Sequence, residues 1–145
     1  MKRALLGMVL FSSMAMAGSA HVHGEQDMNL VLNGNTLAIG ITGPVADYGG
    51  QLDGLESQEL IRLPADAQCE RIEISSNIQA LEGKKGHSDV ELQMTWQCQQ
   101  PDALPGLRVQ LFESYPEIHE VHVQAVINTR SLVRTLTEQE PELTW

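Results

Sequence analysis

Apolar residues recur at every second position through most of the chain beyond residue 25, the period of a strand with one buried face. Met28, Leu30 and Leu32 alternate with Asp27, Asn29 and Val31, and Leu37, Ile39 and Ile41 alternate with Ala38, Gly40 and Thr42. Asn33-Gly34-Asn35 lies between the two runs, and Asn and Gly tolerate the positive φ of a tight turn, so a β-hairpin is predicted. Gly43-Pro44 ends it. The cleanest alternation is Ser88 to Cys98, with Val90, Leu92, Met94, Trp96 and Cys98 on one face. Leu107, Val109 and Leu111 continue the pattern, Ser114-Tyr115-Pro116 interrupts it, and Val121, Val123, Ala125 and Ile127 form the next inward row. Asn128-Thr129-Arg130 reads as a turn into Ser131 to Thr137, and Leu143-Thr144-Trp145 as a short last strand.

Two stretches are less regular. Leu55 to Leu63 reads as one or two helical turns closed by Pro64. From Glu70 to Gln79, Ile72, Ile74 and Ile78 share one parity and Cys69 has the other, which predicts a bulge or strand edge before Ile72. Gly83-Lys84-Lys85-Gly86 reads as an exposed loop. The expected fold is mainly β, with α+β as the variant: an antiparallel sheet or sandwich of about seven short strands and one short helix.

The first twenty residues do not fit this pattern. Lys2 and Arg3 precede an apolar run from Ala4 to Phe11, followed by small residues up to Ala20, the layout of a secretory signal peptide. The run is shorter than the ~20 residues that span a bilayer, and no second apolar span follows. The expected organisation is a leader over 1–20 and a single periplasmic β-rich domain over 21–145, cut after Ala17 or Ala20 and not embedded in the membrane.

Charge narrows the function. The formal net charge is −10 and aromatics are 4% of residues. Phosphate backbones need the opposite sign and base stacking needs aromatic platforms, so nucleic acid is excluded as a partner. Loss of a leader carrying Lys2, Arg3 and no carboxylate takes the balance from −10 to −12. Such a surface attracts cations.

Cys69 and Cys98 are the two cysteines, both in the exported part. An oxidising compartment favours a disulfide. Closing the loop between them stabilises by ~3.5 kcal/mol in the chain-entropy model. A thiolate ligand or nucleophile is the other option, but no Cys-x-x-Cys spacing supports it.

The histidines carry the candidate chemistry. If cleavage follows Ala20, the new amine, two backbone amides and the imidazole of His23 make a square-planar set suited to copper or nickel. With cleavage after Ala17 the His21-Val22-His23 pair remains and can chelate zinc with a third ligand from elsewhere. Glu120 and His122 share a strand face and are a second candidate pair; His87 and Asp89, in and beside the exposed loop, are a third. His119 lies just before the strand of His122. No Gly-x-Ser-x-Gly elbow, phosphate loop or His-Glu-x-x-His is present, so no catalytic residue is assigned and a non-enzyme is expected.

With His21-Val22-His23-Gly24-Glu25 after the leader, the Asn33-Gly34-Asn35 turn, Cys69, Gly86-His87-Ser88-Asp89, Cys98, Leu111-Phe112-Glu113, Pro116 and Leu136-Thr137 in this order, the chain resembles the ZrgA-like family of small periplasmic proteins that accompany bacterial zinc import. The resemblance implies a zinc-binding accessory protein working beside an ABC-type zinc importer or its periplasmic zinc-binding protein, and no enzyme. Two departures stand out. The long His- and Asp-rich insert typical of the family is reduced here to Leu81–His87 with one histidine, and a Gly-Phe-Glu-His-like stretch is replaced by Tyr48-Gly49-Gly50-Gln51. Fewer bound ions are implied. The reduced insert also favours the alternative, a structural or partner-binding periplasmic module of a transport complex that binds no metal.

Overall fold

A computed structural model describes residues 22–50, 52–83 and 86–145. The leader, the cleavage sites, His21, Gln51 and the two lysines of the Gly83–Gly86 loop lie outside the described residues. Among the described residues, nine strands form two sheets: β1 (Glu25–Asn33), β2 (Thr36–Pro44), β3 (Ile61–Arg62), β4 (Cys69–Ala80), β5 (Ser88–Cys98), β6 (Gly106–Val109), β7 (Glu120–Ile127), β8 (Arg130–Thr137) and β9 (Glu142–Thr144). The larger sheet runs β4-β5-β2-β1-β7-β8, and the smaller runs β3-β6-β9.

The period-two rows become the core. Met28, Leu30 and Leu32, Leu37, Ile39 and Ile41, the Val90-to-Cys98 row and the Val121-to-Ile127 row are all buried. They join Leu60, Leu104, Val109, Phe112, Ile118 and Leu143 from the smaller sheet and its connections in one cluster. The β1–β2 hairpin turns at Gly34, whose φ of +60° suits a residue without a Cβ.

Three features depart from the sequence pattern. The larger sheet is not wholly antiparallel: β1 and β7 pair in parallel, with Glu25 opposite Glu120 and Asp27 opposite His122. The stretch from Leu55 to Leu63 holds a single 3-10 turn, Leu55–Ser57, and then β3, while the one α-helical turn among the described residues is Leu111–Ser114, beginning at Leu111, where the alternation predicts the end of a strand. Gln110 breaks the strand there, and Leu111 and Phe112 are buried from a helical turn instead. Along β4, the bulge lies between Arg71 and Glu73 as expected, but Ile72 is 59% and Ile78 56% exposed. β4 is an edge strand of the larger sheet, and of its three isoleucines it is Ile74 that packs against the core cluster. Cys69 stands opposite Cys98 across β4 and β5, and the two form a disulfide.

Candidate metal centre

The parallel pair gathers the first cluster. Strand alternation turns Glu25 on β1 and Glu120 and His122 on β7 to the outer face, all half-buried. His122 Nε2 lies 3.2 Å from Glu25 Oε2 and 3.8 Å from Glu120 Oε2. One ligand atom from each of the three falls within 4.8 Å of the others, the one such group of three among the described residues. Ligand atoms around a tetrahedral zinc lie roughly 3.4 Å apart when the bonds are about 2.0–2.2 Å, so little movement is needed. Behind the imidazole, Thr135 Oγ1 on β8 lies 3.2 Å from Nδ1. A hydroxyl both donates and accepts, so Thr135 holds the ring with Nε2 either protonated or ligating.

Exposed ion pairs contribute about 0–1 kcal/mol. Like charges directly opposite on one sheet face repel. Two carboxylates beside one imidazole offer one ligand atom each to a divalent cation.

The second cluster lies at the start of β1. Gly24 adopts φ +86° in the turn that leads into the strand, and a Cβ there would strike the His119 ring and the Glu117 carbonyl. Its N–H donates to Asp47 Oδ2 at 2.8 Å. Asp47 is 4% exposed, in the 3-10 turn Val45–Tyr48 that follows β2. Gln26 Nε2 donates to the same oxygen at 3.0 Å, and the Tyr48 hydroxyl donates to Gln26 Oε1 at 2.9 Å. Gly43 leaves room for the Gln26 carboxamide, with which a Cβ would collide. The other oxygen, Asp47 Oδ1, lies 3.3 Å from His23 Nδ1. His87, at the end of the loop between β4 and β5, brings its ring centroid to 6.1 Å from that of His23. A cavity of about 330 Å³ lies between these histidines, with Pro44, Leu81 and Asp89 in its wall. His119 lines an adjacent cleft with His23, Asp47 and Glu117.

Of the residues singled out in the sequence, Glu120 and His122 come together on one face, and His23, His87 and Asp89 line one cavity. The two groups are separate. Glu25, Asp47 and Thr135 escape a linear reading. Glu25 joins through a parallel register, Thr135 through the β7–β8 pairing, and Asp47 through a turn with no motif; alternation does mark Glu25 as an outward carboxylate.

A two-sheet β fold with a mixed carboxylate–imidazole cluster and a second imidazole cavity defines a candidate divalent-cation-binding protein. No helix among the described residues is long and apolar enough to cross a membrane. Residues 49–145, about two thirds of the chain, match the model of the ZrgA family zinc uptake protein, and the chain belongs to that family. The matched region contains His87, Asp89, Glu120 and His122; His23 and Glu25 precede it. No curated protein matches the chain.

Proposed function

We propose that this chain is an exported, periplasmic zinc-binding accessory protein, without enzymatic activity, that works in zinc uptake beside an ABC-type importer or its periplasmic zinc-binding protein. The observation that carries the reading is the Glu25–Glu120–His122 cluster, with separations close to those of a zinc ligand set, in a member of a zinc uptake family. The basic, apolar and small-residue order of residues 1–20 supports export. Zinc here is cargo, and a half-exposed site suits binding and release better than a buried one.

Calorimetric titration of the protein purified from the periplasm tests the binding. Zinc heat that an E25Q/H122A variant lacks at one equivalent supports the reading; identical isotherms for the two proteins refute it at this site. N-terminal sequencing of the same material gives the cleavage site and decides whether His23 becomes the third residue of a copper- or nickel-binding terminus. The exposed edge of β4, with Ile72 and Ile78 in solvent, favours a second reading as a module that docks a transport protein without metal. Under that reading zinc binding is absent and substitutions along β4, not at Glu25 or His122, impair zinc-limited growth.

A further inference from the structure

We infer that His23 and His87 form a second zinc site, distinct from the Glu25–Glu120–His122 cluster, with Asp47 as its positioning residue. The inference rests on the zinc reading for the identity of the metal, but on different residues and different observations.

Buried carboxylates in small domains are costly unless hydrogen-bonded. Asp47 receives the Gly24 N–H and the Gln26 amide on Oδ2, and the Tyr48 hydroxyl fixes that amide in turn. Those bonds satisfy one oxygen. Oδ1 is directed at His23 Nδ1 at 3.3 Å. An ionised carboxylate only accepts, so it selects the tautomer with the proton on Nδ1 and the lone pair on Nε2. A carboxylate behind an imidazole is the usual support of a zinc-ligating histidine, because it fixes the ring and raises its basicity. The His23 side chain is otherwise 62% exposed, so the anchoring is not a by-product of burial.

His87 supplies the second nitrogen. The hydrogen bond from Leu81 N–H to the His87 carbonyl closes the β4–β5 loop and fixes the backbone at His87. Two imidazoles sharing a tetrahedral zinc, with Zn–N bonds of about 2.0–2.1 Å, have centroids roughly 5 Å apart. The observed separation is 6.1 Å with the planes at 45°, a tilted pair rather than a stack, and a small swing of either exposed ring closes the gap. The cavity beside them gives water or a further ligand access to the remaining positions. Two nitrogens and open positions describe a site that exchanges its metal, as cargo handling requires.

Zinc stoichiometry of the exported protein, read together with imidazole nitrogen shifts in NMR, tests this. We expect two equivalents for the wild type, one for H23A/H87A and one for E25Q/H122A. In E25Q/H122A the His23 and His87 signals shift on zinc addition, His23 through Nε2. D47N weakens this equivalent by about 10–100-fold and disturbs the His23 tautomer, which a merely structural Asp47 would leave alone. H87A lies outside the Asp47 network and serves if D47N fails to fold; it alone abolishes the second equivalent. If H23A/H87A retains both equivalents, or the two imidazoles stay unshifted while the other cluster fills, this inference is overturned and the zinc reading stands. If the wild type binds no zinc at all, both fall.

Discussion

Glu25 stands directly opposite Glu120 across the parallel β1–β7 ladder, and His122, one outward position along β7, lies within 3.8 Å of both. Under the zinc reading, a bound cation relieves the repulsion between these two carboxylates. Like charges so placed destabilise by roughly 0.2–1 kcal/mol. E120Q is expected to leave the apo melting temperature unchanged or raise it slightly, and to reduce the zinc-induced increase. Zinc at a hundredfold excess over its Kd stabilises a site by about 2.7 kcal/mol, an effect large enough to resolve in a thermal melt. An E120Q protein that melts lower without zinc and gains as much with it would contradict the cation role.

The Cys69–Cys98 disulfide ties the edge strand β4 to β5 at its first residue. The pair closes a sequence separation of 29 residues, so its loss costs up to ~3.5 kcal/mol in the chain-entropy model. C69A/C98A is expected to unfold at a clearly lower urea concentration, and added reductant is expected to move the wild type toward the same midpoint while the double variant stays put. A wild-type midpoint indifferent to reductant would mean that the crosslink contributes nothing.

Met94 and Ile78 are both apolar residues on one parity of neighbouring strands, but only Met94 is covered. It is 1% exposed, against 56% for Ile78. Met94→Ala is expected to cost about 2–5 kcal/mol through lost burial and a residual cavity. Ile78→Ala is expected to fall within about 0.5 kcal/mol of wild type. Chemical denaturation of the two variants checks the pair; equal losses would place the core boundary wrongly.

That contrast marks how far the sequence is legible. Alternation is local, so the rows of β1, β2, β5 and β7 can be read residue by residue, as can the Asn33–Asn35 turn and the disulfide. Coverage of β4 depends on its place at the edge of the larger sheet, a tertiary relationship that no local pattern encodes. The same holds for the site. Glu120 and His122 share a strand and are legible together. Glu25 reaches them from 95 and 97 positions earlier in numbering, through a parallel pairing that leaves no trace in periodicity. Asp47 gains its partners only because Gly24 and Gly43 let backbone and Gln26 crowd close, and a glycine in a strand pattern signals close approach without naming what approaches.

Asn128 ties two turns together. It has φ +55° between β7 and β8, and its side-chain oxygen accepts the Gly34 N–H at 3.0 Å. Asn128→Ala loses both the tolerance of positive φ and the bond, and about 1–2 kcal/mol of stability is expected to go with them. Asn128→Gly keeps the backbone conformation and is expected to lose less. A ranking with alanine above glycine in denaturant midpoints would mean that the positive φ at this position carries no cost.

Tyr48 connects the second cluster to stability at alkaline pH. Burial pushes its phenol well above the ordinary value of 10, and the nearby Tyr115 and Asp47 push it further the same way. A group whose folded pKa is raised contributes stability that is fully present below its unfolded pKa and lost as pH rises through the folded one. Between those limits the unfolded chain gives up a proton that the folded chain keeps. Stability therefore falls by up to about 1.4 kcal/mol per pH unit above pH 10 from this residue alone. Phe at this position cannot titrate, and it also gives up the bond to Gln26, at a cost of about 1 kcal/mol that does not vary with pH. Tyr48→Phe is thus expected to start less stable at neutral pH and to lose stability more gently above pH 10, so that the two curves converge. Urea unfolding at a series of pH values from 8 to 11 measures this directly. Parallel curves would show that the phenol is not held neutral by the fold, and would also weaken the view that Tyr48 anchors the Gln26–Asp47–His23 relay from a dry interior.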